Sequence, residues 1–112
     1  MPNKSLGNVA KNVLIGEAEQ LAIAADRISE KMEAVCKIIS DHPGKIVISG
    51  MGKSGLIAQK IASTLCSIGN KAVFLHPAEA VHGDLGIYAP GDPTILISKS
   101  GATDEIVRLI PI

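Results

Sequence analysis

Between Val9 and Asp41 the apolar positions step alternately by four and three: Leu14, Ala18, Leu21, Ala25, Ile28, Met32, Val35 and Ile39. That heptad rhythm predicts one long helix carrying an apolar stripe. His42-Pro43-Gly44 ends it, since proline cannot continue the helical ladder and glycine frees the backbone. Two readings of the stripe stand side by side. It packs on the helix's own domain, or part of it packs on another subunit, and different faces can serve both.

After Gly44 the period changes. Lys45 to Ser49 is a short apolar run rich in β-branched residues, as in a buried strand. Ser54 to Ile68 is predicted as helix, with Ile57, Ile61, Ala62 and Leu65 on one face and Gly69-Asn70 as its stop. Lys71 to His76 reads as a second strand, and Pro77 opens a short turn or helix. Gly91-Asp92 makes a turn before a third strand, Pro93 to Ser98. Thr103 to Ile110 begins another helix, with Asp104 and Glu105 where the dipole favours negative charge. Strands alternating with helical segments point to an α/β fold with a parallel sheet. Residues 1–44 form a helical segment and 45–112 the sheet-bearing part. Open parallel sheets usually run to about five strands, so the pattern predicts a fold truncated after its third strand.

Composition narrows the partners. Of 112 residues 46% are hydrophobic and 20% charged, with 11 basic and 11 acidic side chains balancing to zero. No basic excess and no aromatic platform offers itself to nucleic acid, since Trp is absent and Phe74 and Tyr88 stand alone. No apolar run is long enough for a membrane span, and Met1 to Asn12 shows no secretory leader. A cytoplasmic protein is expected. Cys36 and Cys66 lie far apart inside helix-like patterns, and are expected as two buried thiols in a reducing compartment.

Chemistry concentrates in three stretches. Gly50-Met51-Gly52-Lys53-Ser54-Gly55 fits GxGxxG after a strand and before a helix. A dinucleotide site would want an acidic residue about twenty positions on, where Leu75 and His76 stand. A P-loop would want glycine at Val47. What fits is a smaller anion, such as a phosphate monoester, on the helix N-terminus beside Lys53 and Ser54. Ser98-Lys99-Ser100-Gly101-Ala102-Thr103 is a second hydroxyl-rich turn after a strand, and in a parallel sheet both emerge at the same edge. Taken singly, Ser100 or Thr103 reads as a helix cap; together the two turns argue for a phosphorylated ligand. The third stretch, His76 to Gly86, holds two imidazoles and two carboxylates within nine positions, with a spacing that matches no familiar closed metal site. Glu79 as a cap and His82 bonded to backbone form one reading; polar groups around a sugar, with His82 moving protons, form the other.

These stretches, "GMGKSG", "HPAEAVHGDLG" and "SKSGATDEI", resemble the sugar-isomerase (SIS) domain of arabinose-5-phosphate isomerases, from about Lys45 onward. The resemblance implies a flavodoxin-like, three-layer parallel sheet in a homo-oligomer, a dimer or tetramer. It implies interconversion of D-ribulose 5-phosphate and D-arabinose 5-phosphate, supplying a precursor of Kdo, without a cofactor. By motif, Lys53 and Glu105 correspond to the family's functional lysine and glutamate, and with His82 they are the implied catalytic set. His76 and His82 are implied substrate contacts, with His76 the implied ligand of an inhibitory zinc. Gly69 and Asn70 correspond to a loop that touches substrate. Ser54, Ser98, Ser100 and Thr103 are assigned to the phosphate. Lys99 departs from the commoner asparagine. A later glutamate and histidine used by the family would fall beyond Ile112. Lys53 keeps two readings, oxyanion stabiliser or phosphate grip. The alternative function is a non-catalytic sugar-phosphate-binding regulatory module, which the missing helix-turn-helix pattern before residue 45 disfavours.

Overall fold

A computed structural model describes residues 5–80, 83–102, 104 and 110. The chain falls into two units, residues up to Lys37 and residues from Ile38 onward. Helix α1 (Leu6–Asp41) starts three residues before the periodicity suggests. The reason is Ser5, whose hydroxyl oxygen accepts the amide of Asn8 at 3.0 Å, the geometry of an N-cap. No residue of α1 is buried. Along the predicted stripe Leu14 is 66% and Leu21 71% exposed, and Ile28, Met32 and Val35 are exposed too. Among the described residues of the stripe, only Ile39, near the helix's end, packs on the sheet's core. The stripe therefore does not serve as a core face within the described residues.

The second unit is built on β1 (Ile46–Gly50), β2 (Ala72–Leu75) and β3 (Thr94–Ile97), all parallel, in the order β2-β1-β3. This is the arrangement at the start of a flavodoxin-like sheet. Every residue of the central β1 is buried. Side chains alternate across a strand, so Ile46 and Ile48 face helix α2 (Gly52–Ser67) and meet Ala58 and Ala62. Val47 turns the other way, with Leu75 and Ala80 beneath Ile87, Tyr88 and Leu96. That second layer comes from the short helix α3 (Pro77–Ala80) and the 3-10 turn Asp84–Ile87. Pro77 takes the first helical position, as expected.

The sheet-facing side of α2 is made of small residues, Gly55, Ala58 and Ala62, flanked by half-buried Ile61 and Leu65. Small side chains let the helix lie close to the sheet. The expected face is corrected at one position, because Ile57 points away and is 54% exposed. Helix α2 ends in a Schellman motif: Gly69 N–H donates to Cys66 O (3.1 Å) and Asn70 N–H to Leu65 O (2.9 Å). Gly69 holds φ +97°, which a side chain would resist. The expectation of two buried thiols fails. Cys36 and Cys66 are both free and exposed, one on the solvent-facing α1 and the other on the flank of α2. The Cys66 thiol points to the Ala72 carbonyl at 3.1 Å.

Candidate functional site

Parallel pairing places Ser49 beside Leu75 and Gly50 beside Ile97, so the three strands end level with one another. The turns that follow, 51–54, 76–78 and 98–102, therefore share the carboxyl edge of the sheet, the usual ligand edge of such folds. Ser54, His76, Ser98 and Ser100 all belong to this edge.

The first turn is shaped by its glycines. Gly52 sits at φ +55° and turns the chain from strand to helix. Gly50 and Gly55 allow close approach: a Cβ on Gly55 would lie 2.6 Å from the Gly50 carbonyl oxygen. Pulled in this way, α2 begins at the sheet's edge with Met51 as its N-cap, in extended conformation and without a side-chain capping bond. The Gly55 amide reaches Met51 O at 3.1 Å. The three amides before it, of Gly52, Lys53 and Ser54, are those that a helix cannot satisfy internally. They meet the positive end of the dipole, with an exposed Lys53 and a half-buried Ser54 beside them.

In the second turn His76 is half-buried and caps α3. Its carbonyl accepts the Ala80 amide (3.0 Å) and its ring Nδ1 accepts the Ala78 amide (3.2 Å). Phe74 meets the ring edge-on, centroids 6.3 Å apart at 83°. The residue before it is held as well: the fully buried Ser49 hydroxyl donates to the Leu75 carbonyl. In the third turn, Ser98 Oγ accepts the Gly101 amide (3.0 Å) and Ser100 Oγ the Ala102 amide (3.1 Å). Because the Ser100 oxygen is used as an acceptor there, its O–H can donate to an anion. Lys99 is exposed.

His82, Thr103 and Glu105 lie outside the described residues. Gly69 and Asn70 are described, and the structure does not bring them to this edge. They stop α2 just before β2 begins, next to Lys71, whose carbonyl accepts the Ile46 amide at the start of β1. A helix that leaves the carboxyl edge must end at the opposite one, so within one chain these two residues do not join the site. Among the described residues no three His, Cys, Asp or Glu side chains gather as a metal cage.

Sequence reasoning missed Ser49, which looks like one more residue of a strand, and the part played by Phe74. A serine in an otherwise apolar buried run is the signal that could have found the first. Sequence reasoning also missed a cluster at the opposite edge. Asp92 accepts from Lys45 Nζ (2.7 Å), from His42 Nε2 (2.8 Å) and from the Ala89 amide (2.8 Å). Lys45, then the Ala89 amide and His42, hold its carboxyl well below the usual carboxylate range.

A sequence profile of the SIS domain matches residues 38–112. The chain belongs to the SIS domain family. SIS relatives with curated names include "Arabinose 5-phosphate isomerase KdsD" of Yersinia pestis, 45% identical over 99% of this chain, and "Arabinose 5-phosphate isomerase KpsF" of Escherichia coli O6:H1 (strain CFT073), 48% identical over 84%. The chain spans about a third of their length, 34% and 30% respectively. Among solved SIS structures, an E. coli CFT073 protein in complex with arabinose 5-phosphate superposes with a TM-score of 0.89 at 40% identity, covering 99% of this chain and 59% of that one.

Proposed function

We propose that this SIS chain carries the phosphosugar-gripping part of an aldose–ketose isomerase that interconverts D-ribulose 5-phosphate and D-arabinose 5-phosphate. The supporting observation is the level ending of β1, β2 and β3, which collects an uncapped helix start, an anchored imidazole and a serine turn on one edge. The likeness to arabinose 5-phosphate isomerases and to a protein solved with arabinose 5-phosphate supplies the substrate.

In this reading the amides of residues 52–54, together with Ser54, Ser98, Ser100 and Thr103, hold the ester phosphate. The sugar then lies toward His76 and His82. From the aldose, a base removes the proton on C2, and the electron pair forms the C1–C2 double bond of an enediol. O1 gains a proton and O2 loses one. Reprotonation at C1 leaves the ketose. Glu105 is assigned as the base at carbon, or as the group that orients one, and His82 as the shuttle between oxygens. Lys53 stands either at the enediolate oxygen or at the phosphate. Only protons and electron pairs within the substrate move, so the balance needs no external hydride acceptor. A cytoplasmic homo-oligomer, a dimer or tetramer that feeds Kdo synthesis, completes the proposal, and the exposed stripe of α1 is the surface that favours assembly.

The test is incubation with ribulose 5-phosphate while arabinose 5-phosphate is followed, alongside calorimetry with arabinose 5-phosphate. Turnover is expected in a protein that includes the rest of the active site, and phosphosugar binding in both. Tight binding without turnover would instead assign a regulatory phosphosugar-binding module.

A further inference from the structure

We propose that His76 is locked as its Nε2–H tautomer, so that it gives a hydrogen bond to a sugar-phosphate oxygen and is closed to zinc. The proposal rests, for its ligand, on the phosphosugar reading above. The lock itself follows from one contact. A backbone amide can only donate, and the Ala78 amide points at Nδ1 from 3.2 Å. Nδ1 must then offer its lone pair, and a neutral imidazole has a single N–H, which falls on Nε2.

The ring cannot easily turn away from this arrangement. His76 is the cap of α3, and its own carbonyl takes the Ala80 amide, so backbone and ring are fixed in the same turn. Phe74 stands edge-on against the ring, and Ser49, with no exposed surface, ties the Leu75 carbonyl immediately before it. Among the described residues Nε2 has no partner, and it remains the ring atom available to a ligand.

A zinc ion fits this arrangement poorly. Zinc needs a nitrogen lone pair, and a zinc-bound histidine normally donates its other N–H to an acceptor. Here the other nitrogen faces a donor. Metal on Nε2 would drive the proton onto Nδ1, against the Ala78 N–H, and metal on Nδ1 would displace that amide. Either choice loses the Ala78 N–H···Nδ1 bond at the start of α3. Among the described residues His76 belongs to no group of three His, Cys, Asp or Glu side chains that could cage a metal ion.

Long-range 1H–15N correlation on the labelled chain reads the tautomer directly, with the His76 signals assigned by their loss in His76→Gln. In the ligand-free protein at neutral pH we expect pyridine-type nitrogen at Nδ1 and pyrrole-type at Nε2. Equimolar zinc chloride should leave both unchanged. A proton on Nδ1, or His76 moving to a metal-bound form with equimolar zinc, overturns the lock. Arabinose 5-phosphate should shift the Nε2–H proton while Nδ1 keeps its type. No response to the sugar phosphate anywhere in the chain would overturn the proposed function and the donor role with it, while the ligand-free spectrum decides the lock separately. His76→Ala should weaken arabinose 5-phosphate binding by about tenfold, and His76→Gln, which restores an N–H near the same place, should recover most of that loss. Equal binding by parent, Ala and Gln proteins overturns the donor role.

Discussion

At the scale of single residues, the candidate site depends on three glycines whose roles differ. Gly52 supplies a backbone angle, while Gly50 and Gly55 supply a distance. A methyl on Gly55 would meet backbone, the Gly50 carbonyl oxygen at 2.6 Å, and backbone cannot swing aside as a side chain can. Gly55→Ala is therefore expected to destabilise the fold by about 1–3 kcal/mol in urea unfolding, and to push the start of α2 away from the sheet. GxGxxG is visible in the sequence, and so is the reason for glycine there. Which anion it serves is not, because the motif fixes a turn and leaves the ligand to its neighbours. Lys53 is one such neighbour. It is exposed, so its removal should leave stability nearly unchanged. Lys53→Ala in an active protein is expected to lower kcat/KM at least tenfold, about 1.4 kcal/mol of barrier. Activity within about twofold of the parent would remove it from the mechanism.

At the scale of elements, periodicity located every described strand to within about two residues, since a buried parallel strand is an apolar run and little else resembles one. Helix edges were less legible. The start of α1 is set by the Ser5 cap, a single hydrogen bond that hydrophobic spacing does not register. The end of α2 was legible because glycine after an apolar face is itself the signal. Open space surrounds Gly69, and only its φ of +97° opposes a side chain. Gly69→Ala should accordingly cost about 1–2 kcal/mol in urea unfolding, and an unfolding midpoint equal to the parent's would show that this angle carries no strain. The stripe of α1 shows the limit of pattern reading. A heptad repeat announces that a helix packs, and cannot say on what. If it is a subunit seam, Leu14→Lys with Leu21→Lys should reduce the mass by light scattering to that of the single chain, 11.6 kDa. Unchanged mass would free the stripe from that role.

At the scale of the whole sheet-bearing unit, the two edges are divided by task. The carboxyl edge gathers the uncapped start of α2, the His76 ring and the serine turn, while the opposite edge ties its polar groups together around Asp92. That carboxylate joins Lys45, just before β1, to the turn from Ala89 that precedes β3, and to His42, which leaves α1. Nothing in the sequence could announce it, because His42 and Asp92 are fifty positions apart and each reads as an ordinary loop residue. Its consequence is a definite pH dependence. The carboxyl's affinity for protons is lowered on folding, so the unfolded chain binds the proton more readily. The resulting stabilisation is present in full above the ordinary aspartate value, about 3.9, and fades as the pH falls below it. Asp92→Asn should therefore lower the urea midpoint at pH 7, and the gap from the parent should narrow as acid is added below about pH 4. Unfolding by urea at pH 7, 5 and 3.5, followed by circular dichroism, separates charge from shape. A gap that stays constant across that range would mean that Asp92 acts by fitting its turn, while a narrowing gap means that its charge joins the starts of β1 and β3.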